Sequence, residues 1–319
     1  MRTKIRLNYQ PSMTKFAVEK IHTLRGHRDC VYTLARAAES HQFYSAGGDG
    51  MVVQWNLHNP EQGRVIAKVP TSIYALHRDA TRNRLIVGQN YEGIHIIDLE
   101  TRAEKGSLQL GKAALFDIRL HGQHLLIATA EGELIVVDYD TLNIVKNIKP
   151  TTQRARSIAI NTATDELAVG FSDHTIRIYD ATDYRLKYTL AEHDNSVFTV
   201  QYTPDSRYLV SGSRDARLKF WDVRENYQLT ESIVAHMYAI NHVDFSLDRQ
   251  YFATGSMDKA VKVWDADQRR LLKVIDKARH AGHGTSVNRV LWLPNESESN
   301  AYTLVSASDD RTISVWSLQ

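Results

Sequence analysis

Residues 193–222 read HDNSVFTVQYTPDSRYLVSGSRDARLKFWD, and this stretch decides the fold. Three short runs of largely alternating apolar and polar residues lie within it: Val197–Tyr202, Tyr208–Gly212 and Leu218–Trp221. Such runs, separated here by the turn pairs Pro204-Asp205 and Arg214-Asp215, predict antiparallel strands joined by tight turns. A fourth run, Tyr188–Leu190, precedes them. One unit of about 42 residues therefore supplies four strands and has no room for the crossover helix of a parallel βαβ fold.

The same unit recurs along the chain. Seven residue pairs close β-rich runs, at steps of 42, 40, 42, 42, 43 and 52 residues: Trp55-Asn56, Ile97-Asp98, Val137-Asp138, Tyr179-Asp180, Trp221-Asp222, Trp264-Asp265 and Trp316-Ser317. Four units also open with a histidine pair: Gly26-His27, Glu192-His193, Ala235-His236 and Gly282-His283. The same four contain a Ser/Thr-x3-Asp motif whose Asp lies 6 residues before the Trp. Three series in one register indicate a repeat architecture.

These series resemble the WD-repeat β-propeller family over the chain from about Ile21 onward. Dividing the 297 residues of Ile21–Ser317 into seven units gives about 42 residues each, the length of such blades. The resemblance implies an all-β, seven-bladed propeller of four-stranded antiparallel blades, with residues 21–319 as one domain after a short segment, 1–20. The first unit opens with Ile21–Leu24 and the last lacks a fourth strand. We therefore expect the N-terminal strand to complete the last blade and close the ring.

Composition narrows the function classes. Lys and Arg number 39 against 37 Asp and Glu, a net charge of +2, which is too balanced for a nucleic-acid channel or an anionic membrane patch. The single cysteine, Cys30, excludes an intrachain disulfide and a Cys-rich zinc cluster. The apolar runs are too short to cross a bilayer, and no secretory signal is visible. We expect a cytoplasmic protein, or a nuclear one if the source is eukaryotic.

Four sets of His, Ser/Thr and Asp invite comparison with a hydrolase triad. The resemblance implies instead that Trp, Ser/Thr, His and Asp form a buried hydrogen-bond relay in each blade. Sixteen residues are assigned to it: His27, Ser45, Asp49, Trp55, His193, Ser211, Asp215, Trp221, His236, Thr254, Asp258, Trp264, His283, Ser306, Asp310 and Trp316. Four copies of a nucleophile are implausible, which favours the structural hypothesis. The other three units lose His and Trp together, having Val69, Gly111 and Thr151 at one position and Ile97, Val137 and Tyr179 at the other.

Other motifs give weak signals. His280-x2-His283 has a metal-ligand spacing but lacks a convincing third ligand, so we expect no metal ion, and no cofactor. Gly47–Gly50 has no following Lys-Ser/Thr or helix, which favours a hairpin turn over a phosphate loop. The last unit carries two insertions. The resemblance implies that Asp276–Gly284 lies on the face where the His and Asp turns gather and that Pro294–Ala301 lies on the opposite face. The run Asn295–Asn300, with Glu296 and Glu298, is interpreted as a solvated loop rather than an acidic docking motif. Insertions of this kind can equally be partner contacts or the result of neutral drift.

The resemblance also implies which residues face the channel entrance: those three and five past the relay His, and the one before the relay Asp. We carried these positions over through the aligned strand starts Val31, Ile73, Leu115, Ala155, Val197, Ile240 and Val287. The five-past residues are Tyr32, Tyr74, Phe116, Arg156, Phe198, Asn241 and Asn288; the other positions include Cys30, Arg154, Arg214 and Met257. We predict a partner-binding rim there. The alternative is that the aromatic residues only fill gaps between blades.

The resulting prediction for function is a non-catalytic scaffold for protein–protein or protein–peptide interaction, acting as a subunit of a larger complex through the channel-mouth face. The propeller itself is expected to be monomeric, with a protein or peptide partner and no nucleic acid or membrane. This inference rests on fold analogy. Two alternatives stay open: a propeller associated with RNA or ribonucleoprotein, and, ranked lower, a small-molecule-binding or enzymatic propeller that uses the central channel.

Overall fold

Seven antiparallel sheets of four strands form the blades of the computed structural model, which describes residues 17–294 and 301–319. Blade 1 comprises β2 (Val31–Arg36), β3 (Gln42–Gly47), β4 (Met51–Asn56) and β5 (Arg64–Lys68), and blade 2 comprises β6 (Ile73–Asp79), β7 (Arg84–Gln89), β8 (Gly93–Asp98) and β9 (Glu104–Gln109). Blade 3 comprises β10 (Leu115–His121), β11 (His124–Thr129), β12 (Leu134–Asp138) and β13 (Ile144–Ile148), and blade 4 comprises β14 (Ala155–Asn161), β15 (Glu166–Phe171), β16 (Ile176–Asp180) and β17 (Leu186–Leu190). Blade 5 comprises β18 (Val197–Tyr202), β19 (Tyr208–Ser213), β20 (Arg217–Asp222) and β21 (Gln228–Val234), and blade 6 comprises β22 (Ile240–Phe245), β23 (Tyr251–Ser256), β24 (Val261–Asp265) and β25 (Leu271–Ile275). Blade 7 comprises β26 (Val287–Leu293), β27 (Tyr302–Ser308), β28 (Ile313–Leu318) and the N-terminal strand β1 (Val18–Leu24). The predicted all-β, seven-bladed propeller is confirmed.

The first strand of each blade lies innermost. Each of these seven strands contacts the first strands of both neighbouring blades, so together they surround a central channel. Their observed starts coincide with the seven strand starts aligned from the sequence. The turns that carry the relay His and Asp lie at the starts of these inner strands. We call this side the relay face and the other side the opposite face.

Apolar side chains pack between the blades. Among the described residues, seven buried clusters each join two adjacent blades. They form because neighbouring sheets pack face to face, so that apolar side chains of one blade contact those of the next. One cluster, containing Leu24, Leu34 and Leu291, joins the last blade to the first. The core is therefore continuous around the ring, and the junction at the chain ends is packed like the other six.

The N-terminal strand closes the ring. β1 pairs antiparallel with β28, with Val18 opposite Leu318 and Leu24 opposite Ile313, and is the outer strand of the last blade. The strand begins at Val18, three residues before the expected boundary at Ile21. The closure predicted from the phase of the repeat is thus present, and it joins both ends of the described chain in one sheet.

The first insertion of the last unit lies where it was expected, in the connection that carries the relay His. It forms a one-turn helix, α1 (Lys277–His280), whose start is capped by Asp276 accepting from the backbone N–H of Arg279 at 2.8 Å. α1 contacts β1, and Lys20 Nζ donates to the Ala281 carbonyl at 2.8 Å. The run Asn295–Asn300 of the second insertion lies outside the described residues. Among the residues that are described, no helix is long and apolar enough to cross a membrane.

Candidate functional site

The sixteen relay residues come together as four hydrogen-bonded sets, in blades 1, 5, 6 and 7. In blade 5, Trp221 Nε1 donates to Ser211 Oγ at 2.9 Å. His193 joins Ser211 Oγ to Asp215, with 2.8 Å from Nε2 and 2.7 Å from Nδ1. The corresponding distances in the other three sets lie between 2.7 and 3.1 Å. Each set links the indole of the third strand to the turns at the relay face.

Burial determines what these groups can do. Ser211 is 0% exposed and already bonded to both the indole and the imidazole, so its oxygen cannot reach a substrate carbonyl. Burial would raise the pKa of Asp215, but the hydrogen bond and charge of His193, with backbone N–H groups of Asp194 and Arg217, outweigh burial and hold it at about 2. Asp215 thereby ties two turns together as a carboxylate. The geometry supports a structural role for each set.

Blades 2 to 4 replace the relay by apolar packing at the Trp position. Ile97, Val137 and Tyr179 are all buried there, 7% exposed at most. The Tyr179 hydroxyl has no hydrogen-bond partner among the described residues. Blade 4 keeps an acidic residue at the Asp position, Asp173, whose Oδ2 accepts from Arg177 Nη2 at 2.8 Å. Removing both ends of a buried polar pair is a change that a fold tolerates well.

The remaining motifs have structural explanations as well. Gly47–Gly50 lies at the hairpin between β3 and β4, where a Cβ on Gly47 would fall 2.0 Å from the Cys30 carbonyl oxygen. Glycine is needed at that position because the backbone approaches closely there. The metal-ligand spacing has another explanation, since His283 is bonded to Asp310 and Ser306. No group of three or more His, Cys, Asp or Glu with metal-site geometry occurs in the part of the chain that the structure describes.

Five of the rim positions form a contact series across blades 1 to 5, which we call the rim ladder: Tyr32, Tyr74, Phe116, Arg156 and Phe198. The rings of Tyr32 and Tyr74 meet edge to face with centroids 4.6 Å apart, and Tyr74 stacks on Phe116 at 5.7 Å. The Arg156 guanidinium lies over two rings, 4.6 Å from the centroid of Phe116 and 4.8 Å from that of Phe198. All five side chains remain partly exposed. The ladder therefore joins blades and also presents a surface at the channel entrance.

Asparagines occupy the other two rim positions. Asn241 Nδ2 donates to Ser286 Oγ at 2.9 Å and to the Val287 carbonyl at 2.8 Å. Asn288 Nδ2 donates to the Val31 carbonyl at 2.9 Å and to Asp309 Oδ1 at 2.7 Å. These bonds join blade 6 to blade 7 and blade 7 to blade 1. Together with the rim ladder, they link the rim positions from blade 6 through blades 7 and 1 to blade 5.

Charge is distributed unevenly around this entrance. Arg154 and Arg214 are exposed beside Arg156, and none of the three has an ion pair within residues 17–294 and 301–319. Burial, and then the charges of Arg154 and Arg214, lower the pKa of Arg156 to about 10. The other side of the rim carries Asp309. Burial, and then the charge of Asp309, raises the pKa of the Cys30 thiol. Cys30 donates to the Asp309 carbonyl at 3.5 Å and is not poised as a thiolate nucleophile.

The structure adds exposed apolar residues that the sequence did not single out. Met237 and Tyr238 follow the relay His236 and are 81% and 62% exposed, beside the predicted rim residue Met257. Tyr91 is 56% exposed, in the turn between β7 and β8 at the relay face. Large apolar side chains in turns, where polar residues are usual, are the signal that would have found them.

The blades with relays are the ones that known repeats match. A family model described as WD domain, G-beta repeat matches residues 18–56, 184–222, 227–265 and 276–317. Together with seven four-stranded blades, these matches define a β-propeller built from WD repeats. This chain belongs to the WD-repeat β-propeller family.

Curated relatives match this chain at low identity. The chain is 24% identical to a periodic tryptophan protein 2 homolog of Mus musculus over 228 residues, 65% of this chain and 24% of the relative. It is 23% identical to striatin of Homo sapiens over 234 residues, 66% of this chain and 30% of the relative. It is 27% identical to the ribosome biogenesis protein YTM1 of Pyricularia oryzae over 215 residues, 63% of this chain and 41% of the relative. The chain thus spans well under half of the length of these relatives.

Proposed function

We propose that this chain is a non-catalytic scaffold that binds a protein or peptide at the relay face, as a cytoplasmic or nuclear subunit of a larger complex. The observation that carries the proposal is the rim ladder together with the neighbouring Arg154 and Arg214, since none of the three arginines forms an ion pair among the described residues. Tyr, Trp and Arg are the residues most enriched at binding hot spots, and the ladder brings the aromatic rings of four blades and an arginine into one continuous strip. Membership of the WD-repeat family supports a role in protein interaction at the coarser level.

The chemistry of the rim defines the partner that fits. Arg154, Arg156 and Arg214 have no carboxylate partner in the part of the chain that the structure describes, and they therefore favour an acidic group. A guanidinium can hold a carboxylate through two parallel hydrogen bonds. The partly exposed rings of Tyr74 and Phe116 favour an apolar or aromatic group beside it. We therefore expect a segment with an acidic residue over blades 4 and 5 and an apolar residue over blades 2 and 3. The exposed Met237 and Tyr238 extend this surface over blade 6.

Single truncations of the rim ladder test this proposal. Tyr74→Ala, Phe116→Ala and Arg156→Ala are each expected to weaken partner binding roughly thirtyfold, about 2 kcal/mol, while the chain stays folded. Affinity capture from the source cell identifies the co-purifying chains, and the dissociation constant is then measured with the purified partner. Circular dichroism and thermal melting verify the fold of each variant.

A matched control lies on the opposite face. Tyr208 is a half-buried tyrosine at the start of β19 with Arg269 lying 4.2 Å over its ring, so it has the same chemistry as the ladder at a different location. Tyr208→Ala is expected to leave partner affinity unchanged. Folded ladder variants that all bind as tightly as the wild type, or a loss confined to Tyr208→Ala, would move the interface away from the relay face.

Association with a ribonucleoprotein is a second candidate. It is favoured by the arginine cluster at the rim and by the similarity to a relative named as a ribosome biogenesis protein. Phosphate-driven binding loses affinity steeply as salt rises, and the slope reports the number of phosphates neutralised. A steep slope in a salt titration with single-stranded RNA, lowered by Arg154→Ala and Arg214→Ala, would favour this candidate. Weak, salt-insensitive RNA binding would favour the protein partner.

A further inference from the structure

The central channel contains a second, differently built site. A cavity of about 540 Å³ opens at the opposite face, and residues from all seven innermost strands line it. Four of the lining residues are arginines: Arg36, Arg78, Arg119 and Arg289. This concentration of positive charge lies at the other end of the channel from the rim ladder and has no part in the proposed partner interface.

Two of these arginines are already paired. Arg36 Nη2 contacts Asp244 Oδ2 at 2.7 Å, and Arg119 Nη2 contacts Asp117 Oδ2 at 3.2 Å. The two carboxylates also join blades, since Asp117 accepts from the backbone N–H of Ile158 and Asp244 from that of Trp292. Both aspartates are therefore committed to the architecture. Each paired arginine still has further N–H donors available, because a guanidinium carries five.

Two arginines remain. Arg78 forms no ion pair among the residues that the structure describes, and its Nε is buried there without a hydrogen-bond partner. Arg289 is the second. It projects from the middle of β26 among the cavity-lining residues, and no ion pair or hydrogen bond of its side chain is found among residues 17–294 and 301–319. Burial, and next the charge of Arg119, lower its pKa to about 10, so the guanidinium remains protonated at neutral pH. An unpaired, largely desolvated charge is costly to a fold, and binding sites are where such a cost is retained.

Neutral donors surround this charge. Burial lowers the pKa of His77 to about 4 and holds that of His242 well below its usual range, so both rings are neutral at pH 7. His242 Nδ1 accepts from the Val290 backbone N–H in a long hydrogen bond of 3.5 Å, which leaves Nε2 as the N–H donor. The cavity has four arginines but only two nearby aspartates, Asp244 in the lining and Asp117 beside it, among the described residues that line or flank it. The site therefore has an excess of positive charge. Low-dielectric walls concentrate that field within the channel.

We propose that this channel cavity binds a small molecule bearing phosphate groups. Its volume falls within the range of small-molecule sites, and seven encircling strands exclude a folded protein surface. Arginine is the residue best suited to phosphate oxygens, which accept two parallel hydrogen bonds from one guanidinium. Arg289 is the anchor, and the free donors of Arg36 and Arg119 complete the anion's shell.

Calorimetry with the full chain and pyrophosphate as the probe tests the proposal. Wild type is expected to bind pyrophosphate more tightly than inorganic phosphate, and Arg289→Met to lose at least tenfold in affinity. Arg185→Met removes the same charge from an exposed site on the outside of blade 4, and is expected to bind within about twofold of wild type. Without ligand, Arg289→Met should melt at the same or a higher temperature than wild type, because it removes an unpaired desolvated charge.

Several outcomes would overturn the assignment. The first is absence of pyrophosphate binding by wild type at about 1 mM. The second is an equal loss of affinity in Arg185→Met and Arg289→Met, which would indicate unspecific attraction to a basic surface. A third arm uses a short phosphoserine peptide at the same concentration. If that peptide binds more tightly than pyrophosphate, the ligand of the cavity is a phosphorylated protein partner and not a small molecule.

Discussion

Single relay residues contribute to stability through complete hydrogen-bond sets. Trp221→Phe keeps most of the buried ring but removes the N–H that Ser211 Oγ accepts. We expect the free energy of unfolding to fall by about 1–3 kcal/mol, measured by urea denaturation, and Asp215→Ala to lose a similar amount. Tyr179→Phe is the matched control at the same position of blade 4, where the hydroxyl has no partner among the described residues. It should be neutral or stabilising; equal losses in both Phe variants would contradict the relay's role.

The same residues predict the direction of pH dependence. Asp215 and Asp258 have folded-state pKa values of about 2 against an ordinary 3.8, so the stability they add is complete above pH 3.8 and is lost as the pH falls towards 2. Burial also lowers the pKa of His193 and His236 below 6.5, which adds a loss that begins as the pH falls below that value. The urea midpoint should therefore decrease steadily from pH 7 to pH 3. A flat profile over that interval would be inconsistent with these shifts.

At the scale of one element, β1 is the strand on which closure depends. Deletion of residues 1–25 removes it, exposes the hydrogen-bonding edge of β28 and opens the cluster around Leu24. We expect a lower melting temperature for the whole propeller and a tendency to associate through the free edge. An unchanged melting temperature after the deletion would show that β1 does not fasten the ring.

Point changes within β1 separate packing from pairing. Leu24 is 3% exposed and lies in the cluster that joins blades 7 and 1, whereas Ile21 is 40% exposed on the same strand. Leu24→Ala should cost about 2–5 kcal/mol and Ile21→Ala well under 1 kcal/mol, both measured by chemical denaturation. Similar costs at both positions would mean that the strand contributes through its backbone alone.

Across the whole molecule, the sequence predicts the features that repeat and misses those that do not. The spacing of Trp221 from Asp215 and His193 recurs in four blades, because each needs the same buried bonds, and the pairs that close the β-rich runs recur in all seven. Together these series predict the blade number and the strand starts. The channel site around Arg289 has no such signal, since its four arginines lie at three different offsets from their strand starts and meet only when the ring closes. α1 and the three extra residues of β1 depend likewise on contacts between the two ends of the chain.

The most direct test of the central claim, that a partner binds at the relay face, compares two charge reversals on opposite sides of one ring. Arg214→Glu changes the exposed rim, and Arg249→Glu changes an exposed turn between β22 and β23 on the opposite face. Partner affinity is measured by calorimetry with the purified partner. Our account predicts at least a tenfold weaker dissociation constant for Arg214→Glu and an unchanged one for Arg249→Glu. Unchanged binding in Arg214→Glu with a loss in Arg249→Glu would contradict it.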